Sequence, residues 1–312
     1  MEGLGKPLKS INMETEEYLK KILENQNIAN DSKEMKELQA TRGNVESLLK
    51  ESFEGSNPTI RYGGSKIKGT MIKESYDLDI ICYFKHDDNG AGESLKDIYN
   101  SVKVALEKNY FVEPKKSALR LKSKDVQDRM DFHVDVVPGR YIDDSETDSY
   151  IYQSGAEAEK DRLKTNLDIH IKHIRDSGLT DVIRLVKLWK IRVGLNLKTF
   201  VLELLVVKYA KKSQKNPLSE GLTSFWQHLK DHQDDITVED PANPEGNDLS
   251  EMLTSGIKQL LSMYSTNTLQ SIENGSWEGI FGSVELLTNE EKIEAIRSAV
   301  STQSSQPKPW SE

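Results

Sequence analysis

Residues 61–70 read Arg-Tyr-Gly-Gly-Ser-Lys-Ile-Lys-Gly-Thr, and after six more residues, 77–81 read Asp-Leu-Asp-Ile-Ile. No other stretch restricts the fold as much. Paired glycines permit a turn in which the backbone approaches another group closely, because neither carries a Cβ. The alternation that follows is that of a strand. Asp77 and Asp79 fall on one face and Leu78 and Ile80 on the other. One face can enter a core, while the other must hold two carboxylates side by side.

A second stretch repeats the pattern. Residues 130–138 read Met-Asp-Phe-His-Val-Asp-Val-Val-Pro, so Asp131, His133 and Asp135 share one face and Phe132, Val134 and Val136 the other. If the two strands lie side by side, Asp135 joins Asp77 and Asp79. Uncompensated carboxylates repel, and a divalent cation relieves that repulsion. Mg²⁺ favours carboxylate oxygens together with substrate phosphates. Three carboxylates suit two Mg²⁺ or Mn²⁺ ions roughly 3.5–4 Å apart, an arrangement fit for phosphoryl transfer. His133 reads as a hydrogen-bonding neighbour of this set, not a ligand. In the glycine turn, Gly64 offers close backbone approach to phosphate oxygens and Ser65 adds a hydroxyl.

Around these strands the pattern predicts an α+β first half and a helical second half. Residues 16–23 and 35–49 carry apolar residues at helical spacing, with Thr41-Arg42-Gly43 as a candidate bend. Residues 78–84 and 132–137 read as strands, 94–109 as a helix between them, and 86–90 as a turn. Residues 180–193 and 197–211 read as helices and 238–248 as a loop. Asp248 is then an N-cap, with Glu251 completing a capping box. The expected division is a catalytic lobe with an N-terminal helix over 1–160, a helical lobe over 161–300 and a tail over 301–312.

The chain has 312 residues and one cysteine, which excludes an internal disulfide and leaves ample length for a core. The longest apolar run, residues 200–207, contains Glu203 and is too short to span a bilayer. With no apolar signal core at the N-terminus, the expected location is the cytoplasm. A net charge of −9 disfavours extended contact with nucleic acid. A basic stretch, Lys108, Lys115, Lys116, Arg120, Lys122, Lys124 and Arg129, is interspersed with acids and reads as a solvated hairpin edge.

The motif G-G-S-x-x-x-G-T followed by D-x-D resembles the DNA polymerase β-like nucleotidyltransferase superfamily. Within it, the chain is most similar to the branch of oligoadenylate synthetases, cGAS and the bacterial CD-NTases. Asp135-Val-Val-Pro138 stands where that branch carries a third metal carboxylate. Residues 182–189 resemble the helix whose lysine contacts the triphosphate, residues 199–205 the next helix, and residues 240–244 the loop that follows. The resemblance spans about residues 60–261. It implies a bilobed enzyme with a mixed-sheet lobe, a helical lobe and a cleft between them. It also implies NTP substrates including ATP, and a cyclic or short linear oligonucleotide product read by a downstream effector. For a bacterial member it implies a role in defence against phage.

The implied nucleotide contacts are Gly64, Ser65, Lys187, Lys190 and Thr199. On the residues alone, Arg184 and Lys187 share a helical face, and no acid lies between Ile183 and Lys198. That suits a triphosphate clamp; the competing reading is a solvated basic face. Trp189 reads as core. Relatives often carry Ser or Gln then Tyr where Thr199-Phe200 stand, so base choice does not carry over. An RNA-tailing or CCA-adding enzyme shares the metal motif, and an inactive nucleotide-binding module is a third reading.

Overall fold

The computed structural model describes residues 8–124, 132–154, 161–212, 217–247 and 249–284. Two helices, α1 (Leu8–Asn25) and α2 (Lys33–Ser52), precede the sheet. The candidate bend at Thr41-Arg42-Gly43 does not occur, and α2 runs through it. A single helical glycine costs about 1 kcal/mol, which the burial of Val45, Leu48 and Leu49 beyond it offsets.

Seven strands follow: β1 (Thr59–Tyr62), β2 (Asp77–Phe84), β3 (Tyr110–Pro114), β4 (Leu119–Ser123), β5 (His133–Tyr141), β6 (Ser149–Tyr152) and β7 (Arg162–Thr165). The main path is β1-β2-β5-β4-β3, with β6 on β5 and β7 on β6. Among the described strands only β2 and β5 run parallel; the crossover between them carries α4 (Leu95–Glu107) and the β3–β4 hairpin. The first half of β5 pairs with β4 and the second half with β6, both along the edge opposite β2. Helix α4 starts at a reciprocal cap, with Ser94 accepting from the Asp97 N–H and Asp97 from the Ser94 N–H.

The strand alternation decides what lies on each side. Ile80, Cys82, Phe84, Val134 and Val136 form a core with α2 and α4. Ile81 and Tyr83 point the other way, into a small cluster with Tyr141 and Ile151. Asp77, Asp79 and Asp135 stand on that second face, beyond the apolar cluster.

The helical lobe contains α5 (Leu167–Asp176), α6 (Thr180–Arg192), α7 (Thr199–Tyr209), α8 (Leu218–Asp231), α9 (Ser255–Glu273) and the single turn α10 (Glu278–Phe281). Its core holds Trp189, Phe225, Trp226 and Phe281, and Trp189 donates to the Thr268 hydroxyl at 2.8 Å. Leu19, Ile22 and Leu23 of α1 belong to this core, and α1 packs on α6 and α8. The division at residue 160 is therefore corrected for α1: both ends of the described chain build the helical lobe. The expected cap at Asp248 lies outside the described residues; a 3₁₀ turn spans Ser250–Met252, and α9 begins after Thr254, whose hydroxyl accepts the Ile257 N–H. The expected tail over 301–312 also lies outside the described residues.

Candidate active site

Strand register brings the carboxylates together. Asp79 is the direct partner of Asp135 across the parallel pair, and Asp77 is the partner of His133. Partners in a parallel pair project to the same face, so Asp77, Asp79 and Asp135 form one acidic patch. His133 Nδ1 lies 3.5 Å from Asp77, as a neighbour should. Asp131 lies outside the described residues.

The Asp77 side chain is half-exposed, and Asp79 beside it is partly buried. Burial, followed by the charges of Asp77 and Asp135, pushes the Asp79 carboxyl up to about 7. Asp77 is also raised, by burial first, with His133 opposing. A dication would remove this repulsion, and an all-oxygen donor set is what Mg²⁺ or Mn²⁺ prefers. Asp77 and Asp79 thus fit such an ion. Asp135 is differently placed, because Arg120 of β4 donates to it twice, Nε to Oδ1 and Nη2 to Oδ2, both at 2.8 Å. Among the described residues no three acidic or histidine side chains converge as a ready-made metal cage.

Gly64 opens α3 (Gly64–Lys68) with φ +71°. A Cβ there would stand 1.8 Å from Asp79 Oδ2. The group that closes on Gly64 is the carboxylate of Asp79, a constraint not visible in the sequence. Gly63 is held by its N–H on the Asp79 carbonyl at 3.0 Å. Ser65 is half-buried, and its carbonyl accepts the Thr70 N–H at 2.9 Å.

The predicted basic clamp is divided by the structure. Lys187 is buried, donates to the Thr70 carbonyl at 2.7 Å and lies 4.0 Å from Glu203. Burial pushes its ammonium down, with Glu203 chiefly opposing. Glu203 itself is fully buried; it accepts the Thr70 hydroxyl at 2.7 Å and pairs with Lys68. The missing acid of the clamp is therefore on the next helix. Lys190 and Thr199 do meet, Nζ to Oγ1 at 3.2 Å. Arg184 is corrected: it binds the Leu23 and Met71 carbonyls, Asn27 and Asp181, and fastens α1 to the helical lobe.

Phe200 lies beside His170, ring centres 5.0 Å apart. His170 Nε2 meets Asp240 Oδ1 at 2.7 Å, and Asn247 donates to Asp240 Oδ2 at 2.6 Å. Burial acts to raise the Asp240 carboxyl, but these bonds hold it below the usual range. The 240–244 loop is thereby tied to α5, which packs on α3 and α7.

No family model matches the sequence, and no curated protein matches it by sequence. Solved structures do match in three dimensions. CdnC of E. coli MS115-1, solved with ATP, superposes with a TM-score of 0.64 at 17% identity, over 86% of this chain and 98% of that one. The Bradyrhizobium diazoefficiens CD-NTase CdnG, solved with GTP, superposes with a TM-score of 0.61 at 14% identity, over 96% of this chain and 99% of that one. The fold is that of the CD-NTases. The Cid1 poly(U) polymerase, bound to MgATP, shares it with a TM-score of 0.61 at 12% identity, over 86% of this chain and 99% of that one. The same fold is thus found in CD-NTases and in a poly(U) polymerase, and the expected mixed-sheet α+β architecture is present.

Proposed function

We propose that this chain is a metal-dependent nucleotidyltransferase that joins NTPs into a cyclic or short linear oligonucleotide. The observation that carries the reading is the register of Asp79 on Asp135, with Asp77 two residues away and Gly64 closed on Asp79. Asp77 and Asp79 would hold a divalent ion, Mg²⁺ or Mn²⁺, with a second ion accompanying the nucleotide. When bound, such ions offset charge on the attacking and leaving oxygens. Asp135 is positioned to accept a hydrogen bond from the acceptor ribose hydroxyl. That oxygen forms a bond to the donor's α-phosphorus as its proton passes by way of Asp135 to solvent, the α–β phosphoanhydride bond breaks, and pyrophosphate leaves. Lys190 and Thr199 would supply a cation and a hydroxyl for the outer phosphates, and Ser65 of the glycine turn a further hydroxyl, to hold the donor in line. Lys187 supports this wall from behind through the Thr70 carbonyl.

The oligonucleotide product is favoured over RNA tailing by the branch resemblance of residues 182–189, 199–205 and 240–244 and by the net charge of −9. The hairpin adds a second argument. Lys115 and Lys122 both pair with Glu113, and Lys124 donates to the Glu107 and Lys108 carbonyls, so much of its positive charge is answered internally. The product would act as a signal for an effector protein, in defence against phage if the host is a bacterium. No helix among the described residues is long and apolar enough to cross a membrane.

The test is incubation with each NTP and each pair of NTPs plus Mg²⁺ or Mn²⁺, followed by product mass and phosphatase treatment. A phosphatase-resistant oligonucleotide made from NTPs alone is expected, and Asp77→Asn or Asp79→Asn should lower its rate about a thousandfold or more. Labelled RNA that lengthens while no small product forms would overturn the reading in favour of tailing.

A further inference from the structure

The three carboxylates of the site are not equivalent, and the difference comes from one residue. Arg120 stands directly opposite Asp135 in the antiparallel β4–β5 pair. Its guanidinium meets both carboxylate oxygens at 2.8 Å, and both side chains are largely buried, 15% and 18% exposed. A two-pronged pair of this kind is fixed in direction as well as charge-assisted. Among the described residues no arginine or lysine is bonded to Asp77 or Asp79 in the same way, and the one side chain within ion-pair distance is the His133 imidazole, on Asp77 alone. The acidic patch is divided into an open pair and a closed third member.

We propose that Arg120 is a positioning residue that withholds Asp135 from metal in the free enzyme, so that one divalent ion is taken up before nucleotide arrives. This rests on the nucleotidyltransferase reading above. An ionised carboxylate offers about four lone-pair sites, and the guanidinium fork takes two. The remaining two are held in a fixed direction, on the face shared with Asp79. Asp135 is thereby aimed, while its charge toward a free cation is answered by Arg120. Removing the guanidinium would expose a third uncompensated carboxylate a few ångströms from the first two. Attraction for a dication would then rise and orientation would fall. A merely structural arginine would give the opposite pairing, loss of both.

Mn²⁺ titration of the nucleotide-free protein, read by the electron paramagnetic resonance signal of unbound Mn²⁺, tests this without turnover. Wild type should bind one ion. Arg120→Gln should bind a second, or the first about tenfold more tightly, while kcat falls and KM for NTP stays within about twofold. Arg120→Lys, which contacts one oxygen only, should fall between the two. The paired variant Arg120→Gln with Asp135→Asn removes both charges and keeps the hydrogen-bonding shapes; it should bind one ion within about threefold of wild-type affinity. Asp79→Asn should bind none. Two ions on the free wild type, or loss of the ion in the paired variant, would overturn the inference while leaving the enzymatic reading intact. An unfolded Arg120→Gln leaves the decision to the paired variant and to the wild-type stoichiometry. A wild type that binds no ion and makes no product from NTPs would overturn both.

Discussion

Glu203 on α7 accepts the Thr70 hydroxyl at 2.7 Å, so a fully buried carboxylate of the helical lobe is bonded to the loop that leaves the glycine turn. Lys68 and Lys187 converge on the same carboxylate, one from each lobe.

Removing one partner from such a cluster costs more than the cluster itself contributes, because the remaining charges stay buried and unanswered. Glu203→Ala should therefore destabilise by about 3–5 kcal/mol, and Glu203→Gln by less. Urea unfolding curves check this. Unchanged midpoints would show that water reaches both lysines.

Gly64 and Gly63 are neighbours with different constraints. At Gly64 a methyl group would overlap Asp79 at 1.8 Å on a backbone with positive φ, whereas at Gly63 the nearest atom is 3.5 Å away, an ordinary contact. Gly64→Ala should cost about 1–3 kcal/mol in backbone strain and displace Asp79, with turnover falling by at least about a hundredfold. Gly63→Ala should stay within about 1 kcal/mol. Comparing the two by unfolding and by product formation separates the close approach from glycine content.

The raised Asp79 carboxyl gives the metal-free protein a pH dependence of definite sign. Its folded value is about 7, against about 3.9 in an unfolded chain. Between these values the folded protein holds a proton that the unfolded chain has released, so stability rises as pH falls. Ionised above pH 7, Asp79 destabilises the empty site. Lowering the pH from 8 to 6 in the presence of EDTA should add about 1.4 kcal/mol through this group. The increment is read as the difference between wild type and Asp79→Asn in urea at the two pH values. Equal slopes for the two proteins would place the Asp79 value near that of free aspartate.

Lys187 and Lys190 should separate in kinetics and stability. Lys187 is buried and bonded to the Thr70 carbonyl; Lys190 is half-buried and reaches the Thr199 hydroxyl. Lys190→Ala should raise KM for NTP several-fold with little change in unfolding midpoint. Lys187→Ala should lower the midpoint as well as raise KM. An unchanged KM in Lys190→Ala would remove that lysine from the phosphate wall.

The carboxylates were legible because strand alternation is local: Asp77 and Asp79 announce their shared face within three residues. The pairing with Asp135 followed from a second alternating strand. Arg120 was read as part of a solvated edge, because the register that sets it against Asp135 is a pairing between two strands that composition does not specify. Arg184 was grouped with Lys187 by helical spacing, yet much of α6 is buried, and spacing alone does not say which neighbour each face meets. Glu203 did leave a signal, as a lone acid in the apolar run 200–207. A charge in such a run must find a buried partner. The placement of α1 was not legible: its fastenings are on residues more than 150 positions away, such as Tyr18 on the Gly282 carbonyl at 2.7 Å and Glu16 on the Leu218 and Ser219 N–H groups at 2.8 Å.

That placement of α1 has a mechanical side. The chain leaves the helical lobe after α1, builds the sheet lobe, and returns at α5. The first crossing is pinned at Gln26, whose side chain meets Glu74 and whose carbonyl accepts the Lys73 N–H. Joined twice by the backbone, and again by Glu203 and Lys187 on Thr70 and by Arg192 on Glu74, the two lobes are laced together. Cutting the backbone between α1 and α2 would remove one of the two covalent crossings and leave α1 held by its side-chain bonds alone.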